Sequence, residues 1–182
     1  MTFDFTDSNL MFGLLLENKT ALEAADKITA FKKRLSESGF SFGYFFPLLL
    51  TDNGGEFANV HAFTDDPDGS CETRLFFCDP YRSSQKPHVE KNHTLFRDIV
   101  PKGHSFDSFT QDDVNMIFSY VNSIARKKLH KKTPIEVFSC FYSHLDVSKL
   151  LKVLGIQSIA GTDVIQSPEL LKQLSRPSAD RS

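Results

Sequence analysis

Residues Thr2-Phe3-Asp4-Phe5-Thr6 alternate polar and apolar positions with period two, which predicts a strand with one buried face. After the turn cluster Asp7-Ser8-Asn9, residues 10–16 are all apolar or Gly, the pattern of a buried strand. Thr20-Ala21-Leu22-Glu23 then has the form of a capping box opening a helix. Leu22, Ala25, Ile28, Phe31 and Leu35 recur at helical spacing behind it, and Gly39 supplies a stop. Pro47-Leu48-Leu49-Leu50-Thr51 is short, apolar and bounded by Asp52-Asn53-Gly54-Gly55, so it predicts a central strand ending in a tight turn. Arg74 to Cys78 predicts one more strand.

Beyond residue 80 the periodicity is helical. Residues 89–100 predict a helix closed by Pro101-Lys102-Gly103, and residues 110–129 a longer one with Val114, Ile117, Phe118, Val121 and Ile124 on one face. Thr133-Pro134-Ile135-Glu136 opens another, with a capping Thr, Pro at the first helical position and Glu at the third. Residues 147–154 predict a further helix, after which the chain weakens into Ser, Pro and Arg. Strands followed by helices, with one helix between the early strands, indicate a layered α/β domain.

Composition adds little to this picture until charge is placed along the chain. A length of 182 residues fits one domain, the 40% apolar content suffices for a core, and no run approaches a membrane span. Three cysteines, an odd number with no secretory leader, point to a reducing cytoplasm rather than a disulfide scaffold. The net charge is −2, but it is segregated. Residues 82–132 hold ten Lys and Arg against five acids, and the remainder eleven against eighteen. Such a basic segment is either a solvated face or the footprint of a polyanion-binding surface.

Two carboxylates are candidates for chemistry. Asp52 follows a buried apolar strand, where α/β sheets place ligand-binding groups, although an ordinary turn aspartate suits the same position. Glu90 falls in the first turn of a helix approached by Arg82, Lys86, His88 and Lys91, and it shares a helical face with His93, Thr94 and Arg97. A dipole-stabilised surface Glu would look the same. Brought together, the two could hold Mg²⁺ through hard oxygen ligands. Cys71, Cys78, His88 and His93 do not suit zinc, because the six, nine and four residues between them miss the short knuckle spacing of the Cys pair. The aromatic run from Phe40 to Phe46 suits packing better than base stacking. Arg126-Lys127-Lys128-Leu129-His130-Lys131-Lys132 carries more cations than helix capping needs, so phosphate contact is a serious alternative.

Leu50-Thr51-Asp52-Asn53-Gly54-Gly55-Glu56-Phe57 resembles the second-aspartate motif of integrases and D-D-E transposases. Phe77-Cys78-Asp79-Pro80-Tyr81-Arg82-Ser83-Ser84-Gln85-Lys86 resembles the stretch before the catalytic glutamate in bacterial insertion-sequence transposases of the IS-thirty-like class, and Glu90 stands at that glutamate's position. Arg97, Pro101-Lys102-Gly103 and the Lys132-Thr133-Pro134-Ile135-Glu136-Val137-Phe138 segment follow in the family's order. The resemblance implies an RNase H-like integrase core over residues 1–141, followed by a C-terminal helical extension over 142–182 with a frayed tail.

In this family three carboxylates bind two Mg²⁺ (or Mn²⁺) ions for in-line phosphoryl transfer on DNA. The resemblance makes Asp52 and Glu90, with 37 residues between them, the second and third of these, catalytic and metal-binding alike. The implied DNA-binding residues are Arg82, Lys86, His88, Lys91, Arg97, Lys102, Arg126, Lys127, Lys128, Lys131 and Lys132. The first aspartate and its strand have no counterpart; Asp4 and Asp7 match no catalytic position, and Ser123-Ile124-Ala125-Arg126-Lys127 stands where the family carries an Arg-Pro-Arg-Lys-like run. The expectation is a core lacking its first strand and its end-recognition region: a transposase fragment inactive by itself. Its expected partners are DNA, further copies or a full-length transposase, without membrane involvement. The alternatives are a non-catalytic DNA-binding or transposase-interacting remnant, and an RNase H-like nuclease using Asp4 or Asp7.

Overall fold

The computed structural model describes residues 1–78 and 94–174. Among the described residues it is a mixed α/β structure with two two-stranded sheets and several helices. The chain divides into two compact units, one of Met1 and residues 16–85, the other of residues 2–15 and 86–182.

In the second unit, β1 (Thr2–Phe5) and β2 (Leu10–Gly13) form an antiparallel hairpin with Phe3 opposite Phe12 and Phe5 opposite Leu10. Asn9 takes the left-handed conformation at the turn, φ 57°. The Phe3 and Phe12 rings stack at 4.8 Å, and Phe5 meets Phe138 edge-on at 5.0 Å. The second predicted strand ends at Gly13 rather than Leu16. Gly13 faces the Phe118 ring so closely that a Cβ there would overlap it, which lets β2 lie directly against α5 (Gln111–Asn122).

Two carboxamides on α5 complete β2. Asn122, fully buried, accepts from the Met11 N–H at 2.9 Å and donates to the Met11 carbonyl at 2.6 Å. Gln111 donates to the Gly13 carbonyl and accepts from the Leu15 N–H, both at 2.8 Å. Eleven residues are close to three helical turns, so both side chains leave one face of α5 and serve the backbone of one strand.

Residues 94–99 form α4, the described part of the helix expected over 89–100. The expected helix over 110–129 ends at Asn122, seven residues early. Ser123 caps it, its Oγ accepting from the Ile159 N–H at 2.9 Å. The chain then turns through a 3-10 segment, Lys127–Leu129. α6 (Pro134–Phe141) opens with a complete capping box between Thr133 and Glu136, and α7 (Val147–Leu154) ends at Gly155, φ 73°. The sequence pattern gave no helix beyond α7, but α8 (Glu169–Leu174) forms there because Leu170, Leu171 and Leu174 bury against Ile99, Ile117 and Val121. Residues 175–182, expected to fray, lie outside the described residues.

In the first unit, α1 (Ala21–Glu37) buries Ala24, Ala25, Ile28, Phe31, Lys32 and Leu35, and Gly39 terminates it at φ 79°. Leu22 is a correction: it is 72% exposed. At 100° per residue it lies about 120° round from the middle of the buried stripe, whereas Lys32 lies inside it. Lys32 pairs with Glu72 at 3.0 Å and donates to the Asp65 carbonyl at 2.7 Å. The Phe40–Phe46 run is packing material, as expected, with α2 (Phe42–Phe45) burying Phe42 and Phe45.

β3 (Leu48–Thr51) pairs in parallel with β4 (Arg74–Phe77), and α3 (Val60–Thr64) lies between them in sequence. The expectation of a wholly buried central strand is corrected here. β4 is the one partner of β3 among the described residues, and Leu48, Leu50, Phe76 and Phe77 are exposed.

Candidate carboxylate site and nucleic-acid interface

Asp52 is the first residue beyond β3, at its carboxyl end, and is exposed. The strand places it there because Thr51 is buried and its carbonyl is engaged by the Cys78 N–H at 2.7 Å, which extends the parallel ladder to its last residue. The chain then turns on its own side chains. Asp52 Oδ1 accepts from the Gly54 N–H at 3.3 Å, an Asx-type turn, and Asn53 Nδ2 donates to the Cys78 carbonyl at 3.2 Å.

A Cβ at Gly54 would meet the Glu56 carboxylate, which would have to shift to make room. Glu56 pairs with Lys19 at 3.2 Å and is 12% exposed, so the loop after Asp52 is pinned to the segment leading into α1. Glu56 stands inside the Leu50–Phe57 motif, with no role assigned to it there from the sequence.

Arg82, Lys86, His88, Glu90 and Lys91 lie outside the described residues, so the structure gives Asp52 no described carboxylate partner from that segment. Among the described residues no three His, Cys, Asp or Glu side chains gather as a metal site would require. Asp52 therefore fits a hard cation as one accessible oxygen donor, and the other donors must come from elsewhere.

The basic residues divide by exposure. Arg97 on α4 and Lys102 beyond it are exposed, as are Lys127, Lys128, Lys131 and Lys132. These four lysines project from one closed loop. The Arg126 N–H donates to the Lys132 carbonyl at 2.9 Å, and the Arg126 carbonyl accepts from Leu129 at 3.1 Å and Lys131 at 2.9 Å. His130 and Lys131 both take positive φ, 54° and 65°, which folds the loop back on itself.

Arg126 differs from its neighbours. Only 9% exposed, it turns inward and donates from Nη2 to the Val121 carbonyl at 2.8 Å. Burial lowers its pKa to about 10, opposed by the Asp4 carboxylate on β1. Its guanidinium is therefore withdrawn from the surface that the lysines form. No local sequence signal marks Asp4 as its electrostatic counterpart.

Comparison with known proteins finds similarity to transposases and to a putative integrase. The chain is 32% identical over 90 residues to the transposase for insertion sequence element IS4351 of Bacteroides fragilis, covering 50% of this chain and 26% of that protein. It is 32% identical over 89 residues to transposase InsI for insertion sequence element IS30A of Escherichia coli strain K12, 49% of this chain and 22% of the relative. A putative integrase, ORF3 of Spiroplasma virus SpV1-R8A2 B, is 27% identical over 131 residues, 72% of this chain and 38% of the relative. The matched segment thus spans about a quarter of the length of the two transposases. No protein-family model and no solved structure matches the chain. Among the described residues no helix is long and apolar enough to cross a membrane. A parallel strand ending in the Asp52 turn and a loop of exposed lysines thus occur in a chain that, over about half its length, is similar to the transposases of insertion sequence elements IS4351, IS1086 and IS30A.

Proposed function

We propose that this chain is a DNA-handling portion of an integrase-type transposase core, RNase H-like in fold. In this proposal Asp52 and Glu90 are two of the carboxylates that hold Mg²⁺ or Mn²⁺, and the exposed lysines of the 126–132 loop contact the DNA backbone. The observation that carries it is the placement of Asp52, an exposed carboxylate one residue past a parallel strand, in a chain related to transposases. Metal held by Asp52 and Glu90 would supply charge stabilisation for phosphoryl transfer at a DNA phosphodiester. The chain's own residues contribute the turn that orients Asp52 and the cations that neutralise phosphate.

Two of the family's three carboxylates are matched in this sequence, so the proposal includes weak metal binding and no cleavage by this chain alone. The test is Mn²⁺ binding together with nicking of supercoiled plasmid, for this chain and its Asp52→Asn and Glu90→Gln variants. The expected result is Mn²⁺ binding that both substitutions weaken, DNA binding that neither weakens, and no nicking. Mn²⁺ binding indifferent to both substitutions would overturn the site. Robust nicking that both abolish would show that a third acid completes it.

A further inference from the structure

The run Arg126-Lys127-Lys128-Leu129-His130-Lys131-Lys132 is uniform in charge but not in placement: its lysines are exposed and Arg126 is buried. Residue 126 is also the hub of the loop's backbone, joined through its N–H and carbonyl to Leu129, Lys131 and Lys132. Its guanidinium reaches back to the carbonyl of Val121, one of the last carbonyls of α5, which an ending helix leaves without a partner. The next residue, Asn122, holds both backbone groups of Met11 on β2. A continuous series of hydrogen bonds thus runs from β2 through the end of α5 to the lysine loop.

We infer that Arg126 is a positioning residue, not a phosphate contact: it fixes the 127–132 loop to α5 so that Lys127, Lys128, Lys131 and Lys132 are held ready for a polyanion. The inference rests on the proposed role of this loop in DNA binding. Preordering matters because each long side chain immobilised on binding costs about 0.5–1.5 kcal/mol, a cost that rises when its backbone is also loose. Four lysines on an anchored backbone meet the cost in part before DNA arrives. On a detached loop the same lysines would still neutralise phosphates, but with lower affinity.

Salt dependence separates the two roles. A residue that contacts phosphate contributes about 0.9 to the slope of log affinity against log salt, whereas a positioning residue changes affinity at constant slope. The experiment measures binding of the full chain to a mixed-sequence 20-base-pair duplex across a NaCl series, for the wild type, Arg126→Met, Arg126→Lys and Lys127→Gln/Lys128→Gln. Amide exchange at Leu129 and Lys131 is followed in each without DNA. Met occupies the buried site without a charge, and the double variant Asp4→Asn/Arg126→Met also removes the Asp4 charge that acts on Arg126, in case the single variant does not fold.

For Arg126→Met or the double variant we expect affinity reduced about threefold to tenfold, an unchanged slope, and loss of protection at Leu129 and Lys131. Lys127→Gln/Lys128→Gln should lower the slope by about two units while protection persists. A slope lowered by about one unit in Arg126→Met and restored in Arg126→Lys would make Arg126 a contact and overturn the inference. Unchanged protection at Leu129 and Lys131 would also overturn it. Lysine variants with unaltered affinity and slope would instead overturn the DNA-binding role of the loop, leaving the amide data to judge Arg126.

Discussion

Asn122→Ala tests the way the second unit closes the backbone of β2. The Asn122 carboxamide is the partner of both the Met11 N–H and the Met11 carbonyl, across 111 residues of sequence, and Met11 is 1% exposed. Truncation leaves two buried backbone groups without partners, at about 1–3 kcal/mol each. The vacated amide volume is small and polar, and a water entering it would recover part of that loss. The expected net cost is about 2–5 kcal/mol, a large share of the 5–15 kcal/mol typical of a domain.

Asn122→Asp refines the test. A carboxylate still accepts from the Met11 N–H but cannot donate to its carbonyl, so its charge faces a carbonyl oxygen in a buried site. It should therefore cost at least as much as Ala despite its nearly identical shape. Urea unfolding gives the free energies, and amide exchange at Met11 reports the local bond. Either variant unfolding within about 0.5 kcal/mol of wild type, with Met11 protection intact, would refute the claim that Asn122 holds the Met11 backbone groups of β2.

Two further predictions follow from ionic contacts. Lys32→Ala should destabilise the first unit by about 2–4 kcal/mol, since it strands the mostly buried Glu72 carboxylate, and Lys32→Met/Glu72→Gln should cost less than that single change, as a double-mutant cycle would show. The Glu136 carboxyl is held below its usual range by the Thr133 backbone N–H and hydroxyl, so its contribution is present above the unfolded value of about 4.5 and is lost as pH falls through the lower folded value. Glu136→Gln should accordingly flatten the acid limb of the stability profile, measured by urea unfolding between about pH 5 and 3.

The sequence by itself determined the elements whose causes are local. The Thr133-Pro134 start of α6, the Gly39 stop of α1 and the period-two strand at Thr2–Phe5 are each fixed by neighbours within four residues, and all three are present. The same locality made the turn at Asp52 legible, since an apolar strand followed by Asp-Asn-Gly-Gly specifies both a strand end and the turn that the carboxylate closes on Gly54. Tertiary structure decided what depends on partners far along the chain. Helical periodicity continues past Asn122, yet α5 stops there because Ser123 is engaged by Ile159 and Arg126 folds back onto Val121. Six cationic or histidine residues in one run look alike in sequence, and only a buried carbonyl and the Asp4 charge single out Arg126 to face inward. Burial of a charge is settled by whether partners surround it, and those partners come from β1 and the end of α5, which no local window contains.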